Sequence, residues 1–294
     1  MEDIVERIVN LNKSSSFRKI KEYFTTKTIF ELTTMQRSEK MHSNYFKWLI
    51  SENFSGSNEY IDDPIYLFLD ILIKRAKSQS VDFDTNLRDA ILTRKAKLTI
   101  KKVELERPTR GFKYDKIGGR IDILIHCDIE GVKDIKHLKI CIENKIDSSE
   151  HDDQTWKYYY YLNKTDINDN KLEYSNDYDY KKEDCEYQLF VFLIPLQNLV
   201  LDALQKPTKY CSCDKYIIIN YQDIMDHILE PMSKLENLNS KNRLYLSEYM
   251  RSLGIPQFDK TDYPIMATEE DNKKLLSEFW EENKDLILAA VEAF

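Results

Sequence analysis

A chain of 294 residues carries 43 Lys and Arg against 51 Asp and Glu, a formal charge of −8, with 42% hydrophobic and 32% charged residues. That balance excludes a disordered or fibrous protein, and the length allows one large domain or two modest ones. No apolar run reaches the roughly 20 residues a membrane helix needs. The start, MEDIVERIVN, lacks the basic and apolar regions of a signal peptide, so a cytoplasmic location is expected.

Glycine narrows the function further. Only Gly56, Gly111, Gly118, Gly119, Gly131 and Gly254 are present, too few and too scattered for a Walker loop or a dinucleotide fingerprint. Any phosphate chemistry must therefore rest on metal or side chains. Five cysteines, an odd number in a long chain, speak against a disulfide framework. Cys185, Cys211 and Cys213 lack the second ligand pair that a structural zinc site needs, so they read as buried free thiols.

In chain order, the first 95 or so residues read as helical. Met41, Tyr45, Trp48 and Leu49 form one helical stripe, and a second helix starts at Pro64 and runs through Leu67, Leu69, Leu72 and Ile73. The texture then changes to alternation. Leu98–Glu106, Arg120–Ile129 and His137–Asp147 read as strands. Ser149 and Asp152 resemble a capping box that opens a helix through Leu162. Asn163–Glu186 is polar, acidic and tyrosine-rich, an exposed insertion or a flap. Tyr187–Leu196 and Tyr216–Asn220 are nearly continuous apolar runs, as strands covered on both faces would be. Helical patterns return around Ile224–Leu229, at Leu244–Leu253 and near Asn272–Phe294. This order predicts a single α/β domain: a helical part over 1–95, a core over 96–221 with the insertion at 163–186, and a helical part over 222–294.

The chemistry concentrates in residues 118–162. Alternation puts Ile121, Ile123 and Ile125 on one face of a strand and Asp122 on the other. In the next strand Ile140, Ile142 and Asn144 share one face, while Cys141, Glu143 and Lys145 share the opposite one. A hairpin bent at Val132–Lys133 sets Asp122 across from Glu143, with Cβ atoms about 5 Å apart. Two carboxylates that close repel unless a cation lies between them, and a hard divalent ion suits oxygen ligands. Lys145 would stand beside it. A register slip of one residue would turn Asp122 away.

These residues resemble the PD-(D/E)XK, or restriction-endonuclease-like, nuclease superfamily: an Asp on one strand, here Asp122, and Glu-x-Lys on the next, here Glu143-Asn144-Lys145. Gln154 and Tyr158 in QTWKY resemble the Gln-x-x-x-Tyr motif of its recombination-exonuclease branch, and Glu39, ahead of His42-Ser43, resembles the added acidic residue of an upstream helix. The likeness spans roughly 34–220. It departs in one place, where Ile121-Asp122 replaces Pro-Asp. The resemblance implies a mixed central β-sheet flanked by helices, with helical extensions at both ends. It also implies hydrolysis of phosphodiesters, with DNA the expected substrate, in phage defence or DNA repair. Mg²⁺, or Mn²⁺ as a substitute, would be held by Asp122, Glu143 and the carbonyl of Asn144, with Glu39 as an outer ligand or helping a second ion. Lys145 would orient the attacking water and Gln154 would position Lys145.

The supporting residues have plainer readings too. Gln154 and Tyr158 are i, i+4 neighbours that can simply pack, and His42 and Ser43 are as readily structural. Glu39 shares a helical strip with Ser43, Phe46 and Ile50, where a carboxylate wants a partner. Glu104 and Glu106 could lie near the metal, though Arg107 offers a simpler partner. Tyr158 is expected to meet substrate, although most of the run Tyr158–Tyr161 must pack, since four successive residues point all around a helix. The densest basic cluster is Arg94, Lys95, Lys97, Lys101 and Lys102; with Arg107, Arg110 and Lys113 it is the expected substrate groove on an otherwise acidic chain. The alternative reading is a catalytically silent nuclease-fold module for nucleic-acid binding or assembly.

Overall fold

Three strands form an antiparallel meander: β1 (Lys97–Pro108), β2 (Arg120–Glu130) and β3 (His137–Asn144). β4 (Glu186–Ile194) and β5 (Tyr216–Asn220) then add in parallel, giving a five-stranded mixed sheet in the order β1-β2-β3-β4-β5. The computed structural model describes residues 11, 17, 27–35, 37–51, 63–109, 119–146, 148, 150–151, 153–164, 178–195, 211–236, 238–254, 277, 279–281 and 283–284. A family of helices covers the sheet: α1 (Glu39–Ser51), α2 (Pro64–Gln79) and α3 (Thr85–Leu92) before it, α4 (Gln154–Asn163) between β3 and β4, and α5 (Tyr221–Ile224), α6 (Glu230–Ser233) and α7 (Ser240–Gly254) after it.

The two sheet faces bury different things. On one, Ile123, Ile125, Ile140, Ile142, Val191 and Ile217 pack against α1, α2 and the C-terminal elements in the larger apolar core. On the other, Leu124, Cys141, Phe190, Phe192 and Ile218 pack under Tyr158, Tyr161 and Leu162 of α4. The strands central to this sandwich are apolar on both faces, which is why β4 and β5 show no alternation. Pro64 opens α2 at a position where its missing N–H costs nothing.

Four local expectations change. Ile121 belongs to the α4-side cluster with Leu124, not to the face of Ile123 and Ile125. Opposite this point Glu106 has a left-handed φ of 52°, which breaks the regular pleat of β1. The helix after β3 begins at Gln154, behind Asp153 in the left-handed region with no side-chain cap bond. Its first turn is satisfied by Glu150 instead, whose Oε1 accepts from the Thr155 N–H at 2.8 Å. Ser149 and Asp152 lie outside the described residues. The expected insertion is partly anchored: Tyr178 O–H donates to the Tyr161 carbonyl at 2.7 Å, and Tyr180 is buried with its O–H on Glu186. Finally, Met225–Leu229 is a buried π-helical turn between α5 and α6. Most of the expected Asn272–Phe294 helix lies outside the described residues.

Gly131 opens the β2–β3 turn at φ +85°, and a Cβ there would stand 2.5 Å from the backbone oxygen of Lys95. Neither the dihedral nor the backbone contact can relax cheaply. Gly131→Ala is expected to destabilise the fold by about 1–3 kcal/mol, read as a lowered thermal midpoint; an unchanged midpoint would contradict the turn described.

Candidate active site

β2 and β3 pair with Leu124 opposite Cys141 and Ile123 opposite Ile142, where the ladder ends one step short of Asp122 and Glu143. At this end the ladder is replaced by a side chain: the Asn144 N–H donates to Asp122 Oδ2 at 2.8 Å. Glu143 is 1% exposed and Lys145 is 6% exposed. Lys145 Nζ lies 2.6 Å from Glu143 Oε1 and donates to Gln154 Oε1 at 3.1 Å. Its backbone N–H donates to the Leu193 carbonyl at 2.9 Å, which ties the motif to β4. From α4, Gln154 Nε2 donates to Tyr158 Oη at 3.3 Å, and Tyr158 O–H donates to the Arg120 carbonyl at 2.7 Å.

The electrostatics are those of crowded, desolvated anions. Burial raises the carboxyl of Asp122 to about 6; the Asn144 N–H and Lys145 oppose this, and Glu106 and Glu39 reinforce it. Glu143 is pushed up to about 8 by burial and then by Asp122, against the pull of Lys145. Burial works to lower the Lys145 ammonium, but Glu143, Asp122 and Glu39 outweigh it and hold the group above its ordinary value. One atom stands out: Glu143 Oε2 is buried without a hydrogen-bond partner. A buried carboxylate oxygen left bare costs several kcal/mol, and a cation is what would satisfy it. Among the described residues no three His, Cys, Asp or Glu side chains form a ready cage. Two carboxylates and a backbone carbonyl fit an ion that keeps several waters, as Mg²⁺ does. The donor set therefore fits a hard divalent cation.

A sequence model of the PD-(D/E)XK nuclease superfamily matches residues 27–251. The chain belongs to that superfamily. No curated protein and no solved structure gives a significant match. The mixed five-stranded sheet with flanking helices is the restriction-endonuclease-like α/β fold expected of a member.

Other expected site residues of this superfamily member sort by position. Glu39 opens α1 near the carboxylates, but its Oε1 accepts from the Ile146 N–H at 3.1 Å and from Ser148 Oγ at 2.7 Å, so it also caps the loop behind Lys145. Tyr158 is fully buried and engaged with Gln154 and Arg120, which corrects the expectation that it meets substrate. Lys97 and Lys101 pair with Glu130 and Asp128 at the far end of β2, about 26 and about 20 Å along the strand from Asp122 at roughly 3.3 Å per residue. Lys95 lies just before that end of β1, and Arg94 is bound to Asp70. The basic cluster is thus not brought to the carboxylates, because a strand carries its two ends to opposite sides of the domain. Lys102 and Arg107 are taken by Glu104, and Arg110 and Lys113 lie outside the described residues. Cys211 and Cys213 are buried free thiols, whereas Cys185 is exposed. Sequence reasoning passed over Arg120, whose mostly exposed side chain lies 3.7 Å from Glu106 Oε2, and Tyr221, whose O–H reaches Asn144. The position of Arg120 two residues before Asp122 was the available signal.

Because both carboxyls hold protons more tightly in the folded chain than in the unfolded one, their contribution favours folding at low pH. It is lost as pH rises through about 6 and about 8. Asp122→Asn removes one charge yet keeps an acceptor for the Asn144 N–H. In chelator, the thermal midpoint of this variant is expected to gain on wild type progressively from pH 5 to pH 9, reaching several degrees. A constant difference across that range would mean that burial does not raise the Asp122 carboxyl in the folded chain.

Proposed function

We propose that this protein is a metal-dependent nuclease that hydrolyses phosphodiester bonds, with DNA as substrate. The observation that carries the reading is the bare, buried Glu143 Oε2 beside Asp122, a pair that is costly without a cation. Asp122, Glu143 and the carbonyl of Asn144 would hold Mg²⁺. When bound, the ion would supply a lowered water pKa and neutralise phosphate charge.

The chain's own residues do the rest. Lys145 is kept protonated by its anionic neighbours and is aimed by Gln154, so it can orient a water and stabilise negative charge on the phosphoryl oxygens. Gln154 is held in turn by Tyr158, which supports assignment to the Gln-x-x-x-Tyr branch. Glu39 keeps the loop after Lys145 closed and adds negative potential near the ion. Arg120, two residues before Asp122 and mostly exposed although 3.7 Å from Glu106 Oε2, would offer a phosphate contact nearer the carboxylates than Lys97 and Lys101.

Purified wild type should cleave linear, circular or single-stranded DNA in Mg²⁺ or Mn²⁺ and not in chelator. Asp122→Ala and Lys145→Met should each lose on the order of 10³-fold in rate, with Lys145→Met still binding Mn²⁺ by calorimetry. Wild type that neither binds Mn²⁺ nor cuts any of these substrates would overturn the reading.

A further inference from the structure

The middle residue of the Glu-x-Lys motif has its side chain on the opposite face from the two charged ones, and that side chain is fully buried. Asn144 uses all of its amide there. Its Nδ2 donates to the backbone oxygen of Glu39 at 3.1 Å and to Ser43 Oγ at 3.3 Å, both on α1. Its Oδ1 accepts from Tyr221 O–H at 2.6 Å, from the first residue after β5. With both ends engaged, the amide has one orientation. The same residue's backbone N–H orients Asp122, and its peptide neighbours are Glu143 and Lys145.

Tyr221 is itself held rigidly. It is 2% exposed, and it opens α5 directly after Asn220. Asn220 and Asp223 cap each other through Asp223 N–H to Asn220 Oδ1 at 2.8 Å and Asn220 N–H to Asp223 Oδ2 at 3.1 Å. Arg75 of α2 grips the same Asp223 at 2.6 and 3.0 Å. Beside the Tyr221 ring lies His42, edge-on at 5.2 Å between centroids, whose Nδ1 meets Tyr249 Oη of α7 at 2.8 Å.

We infer that Tyr221 is a positioning residue of the metal centre: by locking the Asn144 amide it fixes the peptide that aligns Asp122, Glu143 and Lys145 around one cation. Without its hydroxyl, Asn144 Oδ1 is left buried and unpaired, so the side chain loses one of its anchors and holds the peptide less tightly. Groups that orient ligands from behind commonly set metal affinity by 10–100-fold. Ser43 shares the clamp from the other side, with a smaller effect because Nδ2 keeps its bond to the Glu39 carbonyl. This inference rests on the metal-dependent reading above.

Mn²⁺ titration by calorimetry and DNA-cleavage kinetics on wild type, Tyr221→Phe and Tyr249→Phe test it. Each substitution removes one buried hydroxyl from the same aromatic cluster, but only Tyr221 touches Asn144. Tyr221→Phe should bind Mn²⁺ about 10-fold more weakly and lose kcat with KM for DNA unchanged, while Tyr249→Phe matches wild type in both. Wild-type affinity in Tyr221→Phe, or an equal loss in Tyr249→Phe, would overturn the inference and leave the nuclease reading intact. Wild type that binds no Mn²⁺ would remove both. If Tyr221→Phe does not fold, Ser43→Ala decides: a roughly 3-fold weaker affinity is expected, and an unchanged one overturns the clamp.

Discussion

The constraint that organises this molecule is a buried glutamate beside a half-buried aspartate at one end of a hairpin, with the Lys145 ammonium against them. Lys145 meets one oxygen of Glu143 and the Asn144 N–H meets one of Asp122, which leaves Glu143 Oε2 bare. Such a cluster adds nothing to the stability of the free chain; desolvation outweighs what the Lys145 contact returns. It persists because the surroundings leave the side chains nowhere else to go. Ile140 and Ile142 are locked into the larger core on one face, and Cys141 into the smaller core on the other. Glu143 inherits its direction from those neighbours.

The sheet topology then delivers each remaining part of the site. A crossover through α4 is what a parallel β3–β4 pair requires, and it puts the start of that helix over Lys145. Gln154 therefore reaches the ammonium from above while β4 fixes the lysine backbone from the side through the Leu193 carbonyl. α1 approaches from the opposite face, where Glu39 accepts two hydrogen bonds from the loop and gives its own carbonyl to Asn144. Three elements distant in sequence thus constrain three consecutive residues.

Much of this was legible from residue order. The turn signal at residues 130–134 and the period of two in both strands anticipate the pairing of Ile123 with Ile142, one step from Asp122 and Glu143. Helix α1 and the Pro64 start of α2 followed from apolar spacing. What the sequence could not convey was which end of a strand, or which side of a helix, faces the site. Lys97 and Lys101 are close to Asp122 in composition but separated from it by the length of β2. Tyr158 sits one helical turn from Gln154, yet its ring enters the core while the Gln reaches Lys145. Ile121 obeys alternation on paper and breaks it in space, since the left-handed residue Glu106 disturbs the adjoining strand. The Asn144–Tyr221 contact spans 77 positions and leaves no local pattern to find.

The family match extends to residue 251, well past β5 and into α7. The residues after β5 are not an appendage to a finished site. Tyr221 stands at the junction of β5 and α5, and the Tyr249 ring of α7 packs behind α1, stacked on Tyr45 at 3.5 Å and 11°. α1 is therefore pressed from behind by the C-terminal helix while its front carries Glu39 and Ser43 to the motif. The position of the Glu-x-Lys segment thus depends on packing behind α1 as well as on the bonds α1 makes to Asn144 and the following loop.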